Sequence, residues 1–325
     1  MLPKVGKVLV ADPISEEGLI ILRMWTDLNV EVKLTPERLE EIVGDYDALI
    51  VRSRTKVSAR IISAGQRLRV IGRAGVGIDN IDVQAARERN ITVVNTPLAS
   101  SVAVAELTLG LMIALARHIP QANTSVKEGY WTPRQYRGVE LAGKTLGIIG
   151  LGRIGREVAV RAMAFGLHLI AYDPFVTTLP PELYSIKLAH LPELLTNSDF
   201  ISIHVPLLPE TRDMINHQAL ALMKRSAYLI CCARGGIVNE SDLLEALQAH
   251  RLAGAALDVF ECEPPDQQSL LSHNRVISTP HLGALTREAQ TKAAVDVAWG
   301  VIDLLQGQKN HYEVVTAKPM VAISG

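Results

Sequence analysis

The sequence predicts an α/β protein built from two doubly wound parallel-sheet domains, one inserted into the other. Three observations carry that prediction. Strand-like and helix-like segments alternate through the first hundred residues. A glycine fingerprint, Gly150, Gly152 and Gly155, opens a second alternating series in mid-chain. A helix pattern at 285–305 is left over when that second series ends.

The first series has strands at 7–11, 30–34, 48–52, 70–73 and 91–95. Helices fall at 15–24, 36–43, 59–64 and 83–89. The strand segments are nearly continuous runs of Val, Ile, Leu and Ala, as expected when both faces of a sheet are covered. A long apolar helix follows at 102–116, with Ser100 or Ser101 as its N-cap. It is apolar almost all round, which predicts burial between domains or at a subunit contact. The stretch 127–140, with Tyr130, Trp131, Arg134, Tyr136 and Arg137, is polar and aromatic and reads as an irregular excursion.

The second series places strands at 145–149, 168–172, 200–205, 227–231, 254–258 and 276–279, with a helix at 241–250 among the connections. Its first turn meets four physical requirements together. The apolar run 146–149 reads as a buried strand. Gly150 allows a tight turn, Gly152 lets the backbone approach a pyrophosphate, and Gly155 lets the next helix pack on the strand. That helix would aim its unpaired N–H groups and positive dipole end at the phosphates. Asp173 ends the next strand, where a carboxylate accepts hydrogen bonds from a ribose diol and repels a 2′-phosphate. The site therefore favours NAD over NADP. Six strands behind such a fingerprint describe a complete dinucleotide-binding domain. The leftover helix then returns to the first domain. The expected division is residues 1–99 plus 286–325 for substrate and 100–285 for cofactor, with chemistry in the cleft between the two crossings. No clear structure is expected after residue 305.

Composition narrows the function classes. The chain has 325 residues, 48% hydrophobic but only 4% aromatic, so its cores are aliphatic. Net charge is -1 and no basic run occurs, which argues against nucleic acid as a partner. No segment resembles a signal peptide or a membrane span, and the expected location is cytoplasmic. Cys231, Cys232 and Cys262 form neither a disulfide framework nor a zinc pattern, and no metal is expected.

Three side chains stand where chemistry is expected. Arg234 follows the strand 227–231 on a turn loosened by Gly235 and Gly236, placed to grip a carboxylate through two parallel hydrogen bonds. His281 follows the last strand, and histidine is the natural proton donor and acceptor near neutral pH. Glu263 lies on a loop constrained by Pro264 and Pro265; Glu261 is an equally available acid by composition.

Seven ordered segments now point one way: 51–57, 72–80, 95–97 with Ala105 and Glu106, 147–155, 233–238, 254–258 and 280–283. Over nearly its whole length the chain resembles the D-isomer-specific 2-hydroxyacid dehydrogenases, and within them most closely the branch acting on D-3-phosphoglycerate. The resemblance implies a Rossmann cofactor domain inserted into a flavodoxin-like substrate domain. It implies NAD as cofactor, a small phosphorylated hydroxy acid as substrate, and a homodimer or homotetramer. Arg234 would orient the substrate carboxylate and polarise its carbonyl. His281 would be the general acid/base, with Glu263, the second acid of Glu-Cys-Glu, hydrogen-bonded to it. Arg153 and Ile154 would line the pyrophosphate beside the three glycines, and Val205 and Pro206 the adenosine. Asp258 would hold the nicotinamide amide, with Cys232, Ala233, Gly283, Ala284 and Val76 also in the cofactor set. Gly75, Val76 and Gly77 would offer backbone N–H groups to the carboxylate, while Arg52 and Arg73 would gather the phosphate. Arg134 or Arg137 would add a third charge, from the partner subunit.

Departures from the family pattern are Ser100, kept in the substrate set although the family has asparagine there, Cys231 for asparagine and Asn239 for aspartate. Ending at Gly325, the chain resembles a short form without the regulatory domain of longer relatives. The alternatives are another reductase of short 2-oxo acids, such as a hydroxypyruvate/glyoxylate reductase, and, from a different class, an NADH-sensing corepressor-like protein.

Overall fold

The computed structural model describes residues 3–315. They divide into two compact units, Met1–Ser100 with Ala284–Gly325 and Ser101–Gly283.

The first unit contains β1 (Lys7–Val10), α1 (Glu16–Trp25), β2 (Asp27–Val30), α2 (Pro36–Ile42), β3 (Ala48–Val51), α3 (Ala59–Ala64), β4 (Val70–Arg73), α4 (Val83–Glu88) and β5 (Thr92–Val94). The second contains α5 (Ser101–Ala116), α6 (Ile119–Lys127), β6 (Thr145–Ile149), α7 (Arg153–Ala164), β7 (His168–Tyr172), β8 (Lys187–Leu188), α8 (Leu191–Asn197), β9 (Phe200–Ile203), α9 (His217–Leu222), β10 (Tyr228–Cys231), α10 (Glu240–Gln248), β11 (Gly254–Leu257), α11 (Gln268–Leu271) and β12 (Val276–Ser278). The chain then adds α12 (Arg287–Leu305) and β13 (Glu313–Val315) to the first unit.

In the first sheet the strand order is β13-β5-β4-β3-β1-β2, parallel except for β13, which runs antiparallel to β5. Without β13 this is the flavodoxin-like order, with its switch point between β1 and β3. The second sheet, β12-β11-β10-β9-β6-β7-β8, is parallel throughout and reverses between β6 and β9. That is the Rossmann order with one strand added at an edge.

The strands read as continuous apolar runs because each sheet has a core on both faces. In β9, Phe200 packs into one cluster while Ile201 and Ile203 pack into the other. In the first unit α12 covers one face of the sheet, burying Val297, Val301 and Ile302 against Val8, Val10, Ile50 and Val70.

Three expectations need correction. The second strand is Asp27–Val30, not 30–34, because pairing with Lys7–Val10 ends at Val30. The second sheet has seven strands rather than six, since the two-residue β8 is too short to announce itself in sequence. The tail beyond residue 305 is not wholly without structure, as β13 pairs with β5. Within its own unit the apolar helix α5 buries Val104, Leu109, Met112 and Leu115. It lies between α7 and the strands β10 and β11, so two of its faces are covered. The stretch 127–140 is largely irregular, with Trp131 81% exposed. No single helix among the described residues is long and apolar enough to cross a membrane.

Candidate active site

The carboxyl ends of β6 and β9 border the switch point of the second sheet, where ligands bind in open α/β folds. The glycine loop sits there. Gly150 has φ +92°, and a Cβ on it would lie 2.7 Å from the His204 carbonyl oxygen just past β9. A Cβ on Gly155 would run into the Gly150 carbonyl, so α7 can approach β6 only with glycine at that point. Above Gly152, in contrast, a Cβ would meet nothing within 4 Å. This open space lies against the N-terminus of the twelve-residue α7, whose first turn carries Arg153 and no acid. Exposed donors, positive charge and room are what a pyrophosphate requires.

Asp173, one residue past β7, is half-buried and faces this loop. Its Oδ2 accepts the Leu151 N–H (2.8 Å) and its Oδ1 accepts the Phe175 N–H (2.9 Å). Each oxygen keeps a further lone pair for a hydroxyl. Val205 and Pro206 follow His204 on the far side of the crevice, and Cys232 and Ala233, both buried, follow β10. His204 carried no signal in the sequence, being one histidine among nine. Its Nε2 lies 3.1 Å from Ser202 Oγ, its Nδ1 is buried without a partner among the described residues, and burial pushes the ring down to about 3. It is therefore a neutral imidazole.

At the ends of β10, β11 and β12 the three chemical side chains stand on successive loops of one sheet. Arg234 is half-buried, with a guanidinium nitrogen donating to the Ala233 carbonyl at 2.7 Å. His281 Nδ1 lies 2.8 Å from Glu263 Oε2, and both side chains remain close to half exposed. Of the two acids left open by composition, Glu263 is thus the histidine's partner. Its other oxygen accepts the Phe260 N–H at 3.3 Å. With Nδ1 committed to a carboxylate, the tautomer is set and Nε2 is the nitrogen that faces outward chemistry.

His281 itself has φ +54°, a left-handed conformation unfavourable by about 1 kcal/mol or more for a residue with a Cβ. Asp258 holds it there. Its carbonyl accepts the His281 N–H at 2.9 Å. Its carboxylate accepts Leu282 and Gly283 N–H and the Thr279 hydroxyl, at 2.7, 2.8 and 2.6 Å. Asp258 is fully buried. Both oxygens thus shape the His281 turn; Oδ2 accepts a single N–H and keeps a lone pair, and the nicotinamide contact expected of Asp258 is a proposal.

The first unit carries the other expected residues. Arg73 ends β4 and is paired in register with Val51, next to Arg52, so both arginines stand at one carboxyl edge. The Arg73 guanidinium lies over the Cα of Gly75, in the space a Cβ would fill. The Gly75 N–H donates to the Arg73 carbonyl, and Val76 and Gly77 follow it on the loop expected to meet the carboxylate. Asn95 donates to the Val76 carbonyl at 2.6 Å and steadies this loop. Ser100 is only 5% exposed, little surface for a substrate contact, and Ala284 opens the chain's return to this unit.

Two bracing residues escaped sequence reasoning. Asp12, 1% exposed just past β1, accepts Arg52 N–H, Thr55 N–H and the Thr55 hydroxyl. Asn80 donates to the carbonyls of Arg52 and Thr55, both at 2.6 Å.

Comparison with known proteins adds independent findings. Residues 109–283 match the family model described as D-isomer specific 2-hydroxyacid dehydrogenase, NAD binding domain. A D-3-phosphoglycerate dehydrogenase of Methanocaldococcus jannaschii is 50% identical over 93% of this chain and 58% of its own length. The chain thus spans little more than half of that curated relative. Among solved structures, the TT0316 protein of Thermus thermophilus is 35% identical with a TM-score of 0.88, over 95% of this chain and 100% of that one. A glyoxylate reductase from Paecilomyes thermophila is 31% identical with a TM-score of 0.87, over 97% and 99%. With its fold, its fingerprint and these relatives in agreement, the chain belongs to the D-isomer-specific 2-hydroxyacid dehydrogenase family.

Proposed function

We propose that the chain is an NAD-dependent oxidoreductase that oxidises D-3-phosphoglycerate to 3-phosphohydroxypyruvate, a step of L-serine biosynthesis. The observation that carries this reading is the His281–Glu263 pair at 2.8 Å, on the same sheet edge as Arg234. Bound NAD supplies the hydride acceptor. Arg234 grips the substrate carboxylate in a bidentate pair and fixes the carbon that reacts. His281 Nε2 takes the hydroxyl proton as the carbonyl forms, and the Glu263 carboxylate stabilises the charged ring that results. In the reverse direction the same nitrogen returns the proton.

Within this reading Asp173 receives the adenosine ribose and selects NAD over NADP. Val76 and Gly77 assist the carboxylate, and Arg52 and Arg73 bind the phosphate dianion. The identity to the Methanocaldococcus jannaschii dehydrogenase supports the phosphorylated substrate. We further propose a cytoplasmic homodimer or homotetramer; Ile119 and Val126 on α6, 49% and 55% exposed, support self-association.

Steady-state assays test the substrate. Turnover of 3-phosphohydroxypyruvate with NADH is expected. Arg52→Ala and Arg73→Ala should each raise its KM roughly tenfold or more, because each removes a charged hydrogen-bond partner. Failure to turn it over, with good turnover of glyoxylate or unphosphorylated hydroxypyruvate, would establish the second reading. The glyoxylate reductase among the structural neighbours favours that alternative.

A further inference from the structure

Glu240 is the first residue of α10 and only 5% exposed, yet nothing in the chemistry above employs it. It faces another acid. The Glu261 N–H donates to Glu240 Oε1 at 2.6 Å, and the Glu240 N–H donates to Glu261 Oε1 at 3.3 Å. Each glutamate thus accepts the other's backbone N–H, and two peptide groups are satisfied across two loops. One loop, 232–239, carries Arg234; the other, 258–267, carries Glu263. A second contact joins them. A Cβ on Gly235 would fall onto the Phe260 carbonyl oxygen, so the residue after Arg234 lies backbone to backbone against the residue before Glu261.

Burying a carboxylate beside another is costly unless its hydrogen bonds are needed where they are. Glu240 shows that cost: burial, with the charges of Glu261 and Asp266, raises its carboxyl above the ordinary value even though the Glu261 N–H pulls the other way. What the pair fixes is the segment 260–263. That segment is also held by the buried Phe260 side chain and by the Glu263 carboxylate folding back on the Phe260 N–H, and the same carboxylate must also serve His281. If the segment drifts, Glu263 has to leave one of its two partners.

We propose that Glu240 is a positioning residue for the acid/base pair: through the Glu261 backbone it holds Glu263 at His281, in one piece with the Arg234 loop. The inference rests on the oxidoreductase reading above only for its kinetic consequence; the clasp itself is a property of the protein without ligand.

The test compares Glu240→Ala, which removes the acceptor, with Glu240→Gln, which keeps an oxygen there. Amide hydrogen exchange of segment 259–263 in the free protein should quicken in Glu240→Ala and return to the native rate in Glu240→Gln. In assays with 3-phosphohydroxypyruvate and NADH, Glu240→Ala should lower kcat about tenfold to a hundredfold, the scale of a small misplacement of catalytic groups. The KM for NADH should stay within about twofold. In a Glu263→Ala background the same substitution should cost nothing more in kcat, because its effect travels through Glu263. Native exchange at 259–263 in Glu240→Ala would overturn the clasp, whatever the activity. So would losses that multiply in the double variant, which would mark a general structural role. A wild-type protein inactive on every 2-oxo acid overturns the functional reading alone, and the exchange experiment still judges the clasp.

Discussion

At the scale of single residues, one carboxylate often does two things. Asp173 tethers the glycine loop through the Leu151 N–H and is proposed to face the ribose. Replacement by alanine therefore mixes two losses, while Asp173→Asn keeps one acceptor oxygen and removes the charge. Both variants should lose discrimination against NADPH, since no charge repels the 2′-phosphate, and raise the KM for NADH about tenfold. Asp173→Ala, which loses both backbone tethers, should lower the melting temperature by several degrees at about 1 kcal/mol each, and Asp173→Asn, which keeps one, by about half as much. NADH and NADPH kinetics alongside thermal melts separate the two. An unchanged preference in both variants would remove Asp173 from the ribose.

At the scale of elements, the loops at the carboxyl ends of strands are the functional parts, and buried acids hold them. Asp12, Asp258 and Glu240 each accept backbone N–H groups of a neighbouring loop. The strands themselves were legible, because residues such as Ile148 and Ile149 serve opposite cores and leave an unbroken apolar run. The glycine loop was legible because its requirements are local. Glu263 as the partner of His281 followed from family resemblance, since eighteen positions separate the two and no pattern links them. Asp258 reads in sequence as a ligand contact and in the structure braces the His281 turn, a pairing visible only once β11 and β12 lie side by side. β8 and β13 escape a reading of the sequence because short edge strands carry almost no periodicity.

Glu240 also gives this scale a pH signature. Its carboxyl is raised in the folded protein by burial first, with the nearby acids adding to it. A carboxyl raised on folding contributes stability below its ordinary value of 4.5, and that contribution is lost as pH rises through the folded value. At neutral pH folding therefore disfavours the ionised side chain relative to its protonated form. Glu240→Gln should therefore melt higher than wild type at pH 7, with the difference vanishing near pH 4. Equal melting temperatures at both pH values would mean that the carboxylate is not strained by its surroundings.

At the scale of the whole molecule, the first unit is assembled from two stretches of chain. Its core on the α12 side depends on Val297, Val301, Ile302 and Leu305, each at most 6% exposed. Withdrawing four such side chains forfeits roughly 6–12 kcal/mol, comparable to the whole stability of a domain. A chain ended at residue 283 should therefore lose the first unit, while the second keeps both its cores. Hydrogen exchange would show β1, β3 and β4 unprotected and β6, β9 and β10 still slow. Protection surviving in β1 and β3 would show that α12 is dispensable.

The cysteines have a practical consequence. Cys231 and Cys232 are buried, and burial pushes the Cys231 thiol up to about 11, whereas Cys262 is exposed. Cys262 lies between Glu261 and Glu263, on the very segment that the Glu240 clasp restrains. The native chain thus carries its own attachment point for a fluorescent or spin label, one peptide bond from the residue that pairs with His281, with no cysteine to be engineered in or out.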